Sequence, residues 1–475
     1  MKLNLSPLIR QYALVVTVNL AVLTTGMSLG WSSPALVKLR NSTETPLSRP
    51  ITEEEGSWIV SAGYLCALFT NLIGGMLLDA IGRKYCILLA SIPKLCMAIL
   101  LIFAKEVWVV ILSRTIMNAA DCFVFASVPI YASEIASKEQ RGALGTFLQL
   151  FSSLGVVTSL SIGPFLSYST FSIVFTSVIA LTTVPLLFIP DTPFYLYSKG
   201  RPDDAMKVLS LVRGSEVLAK QELEDYKATT SKTEENIDKK AILKNKTFLK
   251  GLWVGLILVV GSQLTGFNAI SFYLQTILES TNTSVMPEIA SVVIGTIQVI
   301  ASVCTTLVMN KFGRRTILLT TLIGLLIGLL GLGTFFQITA SEGYIVTGFM
   351  NYLPMMSLVL VIYCYSVGIG SLMWVVTAEL FAGPARALGV TMSLSLSIAL
   401  LFLTTKYFST MTSAMGPAAT YWFFSSMCVL VFVLIAIFLP ETKGKTFSEI
   451  QIALGDNTNT YNVNEKDIKN GDHKL

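Results

Sequence analysis

Histidine is almost absent from this sequence, whose one residue of this type, His473, lies close to the C-terminus. This scarcity excludes most nucleophilic triads and most histidine-based metal sites. The seven cysteines fall in apolar stretches and show neither metal-ligand spacing nor a disulfide framework. No segment resembles a nucleotide-binding loop. We therefore expect neither an enzyme nor a protein that holds a metal or cofactor.

Charged residues are also scarce, at 13% against 53% hydrophobic residues, whereas an average soluble domain has about a quarter charged residues. The apolar residues occur in runs of about 20, the length of helix that crosses a bilayer core of about 30 Å. The runs are continuously apolar, which favours helices over a barrel of alternating strands. We place twelve spans near residues 12–33, 57–78, 86–104, 107–130, 143–167, 171–190, 249–277, 286–309, 316–337, 352–378, 388–406 and 417–439.

A charge-rich segment separates the first six spans from the last six. Four apolar residues within it recur at helical spacing, which predicts short amphipathic helices lying on the bundle: Ala205, Val208, Leu209 and Val212. The tail is polar, and beyond about residue 452 we expect disorder. The sequence thus divides into a first half (1–196), a linker (197–248), a second half (249–445) and a tail (446–475).

Basic residues concentrate in the short loops on one side of the predicted membrane, which places both termini in the cytosol. The glycosylation triplets at Asn41 and Asn282 then fall in outer loops, while those at Asn4 and Asn245 stay cytosolic. We expect a multi-pass protein of the plasma membrane. Its expected partners are the lipid bilayer and a small molecule, without nucleic acid, and we expect a monomer.

Charged motifs repeat between the two halves. Asp79, Arg83 and Lys84 follow the second span, and Arg314 and Arg315 follow the eighth. An acid about seven residues before an arginine follows the fourth and the tenth spans, in the pairs Glu134 with Arg141 and Glu379 with Arg386. We expect these pairs to join the two helices of each half and to latch the cytosolic gate of a transporter with two rocking halves.

Two charges, Lys94 and Asp121, lie near the middle of the third and fourth spans, where an unpaired charge costs at least about 2.5–3.5 kcal/mol. The two helices run antiparallel, so a pair between them is geometrically reasonable. Asp121 also follows Arg114 by seven residues, on nearly the same helix face. A structural ion pair is our first interpretation, and a proton relay is the alternative.

Three further motifs carry a family resemblance. Residues 190–196 read Pro-Asp-Thr-Pro-Phe-Tyr-Leu, Gly200-Arg201 opens the linker, and Pro440-Glu441-Thr442-Lys443-Gly444 follows the last span. In combination they resemble the sugar porters of the major facilitator superfamily, above all the insect facilitated trehalose transporters and the animal glucose facilitators. The resemblance implies an all-α membrane protein of twelve helices in two pseudo-symmetric halves with a cytosolic helical insert. It assigns a role in gating at the cytosolic side to five residues: Glu134, Arg141, Glu379, Arg386 and Glu441.

A sugar site is expected at mid-membrane between the halves, where neutral amides and hydroxyls replace water and aromatic rings cover the apolar sugar face. Residues 263–273 of the seventh span read Gln-Leu-Thr-Gly-Phe-Asn-Ala-Ile-Ser-Phe-Tyr, and Gly266 would allow the helix to break. This segment is similar to the sugar-binding Gln-Gln-Leu-Ser-Gly-Ile-Asn of the family. The resemblance carries sugar contact onto Gln149, Gln263, Asn268, Gln298 and Trp374.

The sequence departs from the family pattern around the same site. Serine or methionine stands where relatives have glutamine, proline or asparagine, at Ser262, Ser371, Met373 and Ser397. Ser28 stands where proton-driven relatives place a carboxylate opposite the arginine of span four, here Arg114. We therefore expect passive facilitated diffusion of a small sugar, trehalose or a hexose such as glucose. The alternatives are a proton-coupled sugar symporter and a sugar sensor of transporter ancestry.

Overall fold

The computed structural model describes residues 6–137, 140–233, 244–341, 344, 346–381, 385–443, 445 and 447–454. Within these residues every regular element is a helix. Spans 1 to 6 are Pro7–Arg40, Glu53–Ile81, Arg83–Ile102, Val107–Ile135, Arg141–Gly145 with Phe147–Ile162, and Tyr168–Leu186. Spans 7 to 12 are Lys246–Leu264 with Phe267–Phe272 and Leu274–Ser280, Pro287–Lys311, Arg314–Thr339, Leu353–Val367 with Ile369–Glu379, Ala385–Met415, and Pro417–Phe438.

The predicted twelve-helix fold is confirmed. In the described part of the chain, ten helices are long and apolar enough to cross a membrane; span 2 is an eleventh when its two bent segments count as one. The shorter apolar helix of span 5 is the twelfth. Helices extend past the predicted boundaries, as in span 1, which runs from Pro7 to Arg40 rather than from 12 to 33. Hydropathy marks only the part in the hydrocarbon, whereas hydrogen bonding continues the helix into the polar interface.

Local sequence explains where the helices start and break. The side chain of Ser6 accepts the N–H of Ile9 at the start of span 1, and Thr52 with Glu55 forms a capping box at the start of span 2. Span 7 breaks at Gly266, as predicted, because that residue takes a φ of 73°, which a residue with a Cβ rarely adopts. The break lies next to the polar side chains of Gln263 and Asn268.

The helices form two bodies of six. Span 1 packs on span 5 and span 2 on span 4, while in the second half span 9 packs on spans 10 and 12. The two bodies meet where span 2 packs against span 11 and span 5 against span 8. Spans 1 and 5 approach very closely: a Cβ on Gly26 would overlap the backbone of Ser152, and one on Gly155 the backbone of Leu23. The absence of a side chain at Gly26 and Gly155 therefore permits the close approach of spans 1 and 5.

We call the end of the bundle with Pro7 the near end, and the end with the loop 41–52 the far end. The halves are joined at the far end. Lys406 of span 11 donates to Ser57 of span 2 at 2.8 Å and lies 4.1 Å from the centre of the Trp58 ring. The N–H of Gln275 in span 7 donates to Ser33 of span 1 at 2.9 Å. The far end is therefore closed.

From Pro193 through the described part of the linker the chain forms the helices Pro193–Ser198, Pro202–Arg213 and Glu216–Thr233. The predicted amphipathic face is confirmed, since Ala205, Leu209 and Val212 are fully buried. Gln11 of span 1 donates to the Val212 carbonyl at 2.9 Å, which holds the linker against the first half. Linker residues 234–243 and tail residues 455–475 lie outside the described residues.

A hydrogen bond from an ion-paired arginine ties the linker to the end of span 4. Arg213 donates to the carbonyl of Ile135 at 2.8 Å and pairs with Glu222 at 2.7 Å. Burial raises the pKa of Glu222, but hydrogen bonds from Arg213 and Tyr226 and the charge of Arg213 outweigh it and hold that pKa below its usual value. Glu222 therefore stays ionised at neutral pH and keeps the linker docked.

The close packing of spans 1 and 5 predicts that Gly155→Val destabilises the protein by about 1–3 kcal/mol, because the added carbons overlap the backbone of span 1. Thermal unfolding of the purified protein in detergent measures the change. Gly75→Val is the matched control, since a Cβ there meets no atom within 4 Å. Equal unfolding temperatures for the two variants would contradict the packing argument.

Candidate functional site

An amide cluster lies at the break of span 7. Gln263 is 5% exposed, accepts from the Asn268 amide at 2.9 Å and donates to the Ser397 hydroxyl of span 11 at 3.0 Å. Because Gly266 interrupts the helix, the Asn268 side chain can hydrogen-bond to Gln263, five positions earlier in the sequence. The structure thus brings together the two predicted sugar-binding residues of span 7 and adds Ser397 as a partner.

Span 10 completes one wall of this cluster. The Phe267 ring stacks on Tyr365, with ring centroids 3.6 Å apart and planes 7° apart. Ser262 donates to the Met373 sulfur at 3.0 Å. Two residues that depart from the family pattern, Ser262 and Met373, therefore contact each other beside Gln263. Phe267 lies in the predicted sugar-binding segment, and only the tertiary structure identifies Tyr365 as its partner.

Gln149 and Gln298 lie half-buried on spans 5 and 8. Each lies one helical turn from a direct contact between the halves, the 2.5 Å hydrogen bond of Ser153 with Ser302. Neither glutamine side chain hydrogen-bonds to any part of the protein that the structure describes. Trp374 on span 10 is 50% exposed. The structure therefore does not bond these three to the amide cluster, and their sugar contact stays a prediction.

The near end of the first half carries a charge network centred on Arg83, the first residue of span 3. Arg83 pairs with Glu134 at 3.0 Å and with Asp79 at 3.4 Å. Arg141 instead donates to the carbonyl of Ser133 at 3.1 Å, so the predicted pairing of Glu134 with Arg141 is wrong. The reason is that span 3 packs directly on span 4, whereas Arg141 opens a short separate helix.

The second half repeats this arrangement with Arg314, the first residue of span 9. Arg314 pairs with Glu379 at 3.5 Å. Glu441 accepts the backbone N–H of Arg314 at 2.8 Å and of Arg315 at 3.1 Å. The side chain of Arg386, predicted to pair with Glu379, lies outside the described residues.

Asp191 is a near-end residue for which the sequence reasoning gave no role. It accepts the N–H of Lys84 at 3.2 Å, as Glu441 does from Arg314, so a carboxylate lies on the N-terminus of both span 3 and span 9, where the helix dipole favours negative charge. A Cβ on Gly82 would overlap Asp191, and one on Gly313 would overlap Glu441. The repeated Pro-acid pairs at 190–191 and 440–441 were the available signal.

The predicted pair of Lys94 with Asp121 is confirmed, and it is buried, with the two residues 1% and 4% exposed. Thr25 of span 1 donates to Asp121 at 2.8 Å, and Lys94 donates to Thr24 at 3.2 Å. Hydrogen bonds from neutral hydroxyls thus extend the ion pair to a third helix. Spans 1, 3 and 4 are joined at mid-depth inside the first half.

Arg114 is buried without a carboxylate partner among the described residues. Its guanidinium donates to the Ser28 hydroxyl at 2.9 Å and to the Asn118 amide oxygen at 3.1 Å, and lies 4.7 Å from the centre of the Trp31 ring. Neutral oxygens and an aromatic face therefore replace the carboxylate. The residue opposite Arg114 is Ser28, as the sequence predicted.

The two candidate glycosylation residues, Asn41 and Asn282, are exposed. Asn41 follows span 1 and Asn282 follows span 7, so both lie at the far end. They are thus on one side of the bundle, as the predicted topology requires. Their glycosylation stays a prediction.

Comparisons with known proteins give a family and a fold. The family model described as "Sugar (and other) transporter" matches residues 15–454. The facilitated trehalose transporters Tret1 of Polypedilum vanderplanki and Culex quinquefasciatus are each 28% identical over 443 residues; these cover 93% of this chain and 87% and 85% of the relatives.

Solved structures of the xylose transporter XylE from E. coli share the fold. The inward-open form superposes with a TM-score of 0.77 at 19% identity, covering 93% of this chain and 99% of XylE. The proton:xylose symporter XylE bound to 6-bromo-6-deoxy-D-glucose gives 0.68 at 18% identity, covering 94% and 100%.

The buried pair predicts that Asp121→Asn destabilises the protein by about 3–5 kcal/mol, because it leaves Lys94 as an unpaired buried charge. Thermal unfolding of the purified protein measures the loss. The matched control is Lys94→Met with Asp121→Leu, which removes both charges and should recover most of the stability. A double variant as unstable as Asp121→Asn would contradict a purely structural pair.

Proposed function

Because the chain belongs to the sugar (and other) transporter family, and is therefore a multi-pass membrane transporter and not an enzyme, we propose that its cargo is trehalose or a hexose such as glucose. The sugar moves through the cleft between the two halves by alternating access. Transport is passive facilitated diffusion.

The amide cluster is the observation that carries this proposal. Gln263 and Asn268 hold uncharged donors and acceptors at a mid-membrane helix break. Amide and hydroxyl groups that bond to each other can exchange those bonds for bonds to sugar hydroxyls, and no charge has to be neutralised. The stacked rings of Phe267 and Tyr365 lie beside them and offer an apolar surface to the ring face of a sugar.

The choice of trehalose or a hexose is supported by the relatives and by the size of the side chains. The Tret1 relatives are described as facilitated trehalose transporters. Ser397, which accepts from the Gln263 amide at 3.0 Å, is shorter than the asparagine that the family resemblance leads one to expect. Its smaller side chain leaves more room beside Gln263, which favours a guest of disaccharide size.

The proposed orientation of the bundle in the membrane rests on the basic residues at its near end. The near end holds the Arg83 and Arg314 networks, so we propose that it faces the cytosol with both termini and that the far end, with Asn41 and Asn282, faces outward from the plasma membrane. The described conformation is then closed toward the outside. Each near-end network joins helices within its own half, so these networks leave the two halves free to separate at that end. Since one chain supplies both walls of the cleft, we propose a monomer that needs no nucleic acid.

The surroundings of Arg114, which donates to the Ser28 hydroxyl and has no carboxylate partner among the described residues, support passive transport. A proton-coupled carrier needs a group that gains and loses a proton during the cycle, and Ser28 cannot do so near neutral pH. Asp121 is bonded to Lys94 and Thr25, all within the first half, rather than to a residue of the second half. A fixed pair inside one rigid body is suited to holding helices together.

We expect Gln263→Ala to lower uptake of labelled trehalose or glucose at low concentration by about tenfold, since the loss of one buried hydrogen-bonding group costs about 1–3 kcal/mol. Initial uptake rates in transporter-deficient cells, normalised to surface protein, measure this. Gln337→Ala is the matched control because Gln337 is exposed at the far end of span 9. Unchanged uptake by Gln263→Ala would refute the placement of the site.

Passive transport also predicts that proteoliposomes equilibrate the sugar without accumulating it, whatever pH gradient is imposed, because Arg114 faces a serine. Tracer uptake with and without an inward proton gradient tests this. Accumulation above the outside concentration that Asp121→Asn abolishes would instead support proton symport. Saturable binding with no flux would support a sensor.

A further inference from the structure

A cavity of about 390 Å³ opens at the far end of the bundle. Arg40 and Glu53 of the first half line it, together with the far ends of spans 7, 9, 11 and 12. Its volume falls within the range of small-molecule sites, which is about 300–1,000 Å³. Neither Gln263, Asn268 nor Ser397 lines it, so this cavity is separate from the amide cluster.

Several buried polar atoms in the wall lack partners. The Tyr273 side chain is 2% exposed, and its hydroxyl has no hydrogen-bond partner in the part of the chain that the structure describes. The same holds for the Thr276 hydroxyl and for the Nε and Nη2 atoms of Arg40. Each such group left unpaired costs about 1–3 kcal/mol. A ligand that hydrogen-bonds to them would recover this free energy.

The charges of the cavity select a neutral ligand. Arg40 makes no ion pair with the described residues, and Glu53 accepts from Ser409 at 3.2 Å and from Ser413 at 3.1 Å. One positive and one negative group in the same cavity leave no net charge to attract an anion or a cation. Together they offer strong donors and strong acceptors, which suits a molecule that has both on every hydroxyl.

Aromatic rings form the apolar part of the wall. Tyr273 and Phe408 stack with centroids 5.3 Å apart, and Phe336 and Tyr421 stack at 5.5 Å. A pyranose has an apolar C–H face and a polar rim of hydroxyls. Aromatic rings beside hydroxyl groups and one side chain of each charge therefore suit its binding.

We propose that the far-end cavity is a second binding site for a neutral polyol of monosaccharide size, occupied while the far end is closed. The inference rests on the proposed function in that the guest belongs to the same chemical class as the cargo. Because Arg40 and Glu53 belong to one half and Tyr273 and Ser413 to the other, a bound polyol bridges the halves. It stabilises the conformation in which they touch at the far end and so slows the return of the empty carrier.

The test uses a thiol introduced by Thr276→Cys, labelled in intact cells with a membrane-impermeant thiol reagent and compared with the parent protein, none of whose cysteines lines the cavity. We expect saturating glucose to slow the labelling at least threefold. The protection should persist when Gln263→Ala is added and disappear when Tyr273→Phe and Arg40→Met are added. Surface expression of every variant is measured in parallel.

The outcomes separate this site from the amide cluster. Absence of protection by glucose, or protection that Gln263→Ala abolishes, overturns the far-end site, since the sugar would then act only from the centre. Protection that survives Tyr273→Phe with Arg40→Met also overturns it. Protection without uptake of any sugar supports the site and counts against the transport proposal. Sorbitol as a second probe shows whether the pyranose ring is required: we expect weaker protection, because an acyclic polyol cannot stack on Tyr273.

Discussion

The hydrocarbon core supplies no hydrogen bonds, and this constraint organises the whole molecule. A polar group at mid-depth that lines no water-filled cleft must find a partner within the chain. Lys94 and Asp121 find each other, Arg114 is held by Ser28 and Asn118, and the broken backbone at Gly266 lies next to the Gln263 amide. The first two arrangements are fully internal to one half and stabilise it. The third faces the junction of spans 7, 10 and 11, where its bonds can be exchanged for bonds to a guest.

The two halves share one arrangement of a glycine and a carboxylate at the near end. A glycine precedes the first residue of span 3 and of span 9, and a carboxylate that follows the sixth span of each half accepts the N–H groups there. The glycine is needed because a Cβ would occupy the space of the carboxylate. Each half is thereby tied into a rigid body by its own charges. Motion between the halves then does not have to break these contacts, which fits alternating access by two rocking bodies.

The polar character of the far end differs from that of the near end. Lys406, Ser57 and Glu53 make contacts between the halves rather than within one of them, so the far end is where the two bodies recognise each other in this conformation. We propose that the cavity between them, with its unpaired buried groups, links recognition of a polyol to the closing of the far end. In that proposal the amide cluster and the far-end cavity act at two different steps of one transport cycle.

The number of spans, the amphipathic linker, the break at Gly266 and the pair of Lys94 with Asp121 could all be predicted from the sequence. They depend on hydropathy, on helical spacing and on the cost of an unpaired charge, which are properties of a segment or of two neighbouring helices. Which partner a side chain takes was decided by the tertiary structure, because it depends on how helices distant in sequence approach. Thus Glu134 pairs with Arg83 instead of Arg141, Ser397 accepts a hydrogen bond from Gln263, and Arg40 lines the same cavity as Tyr273, more than 200 residues away in the sequence.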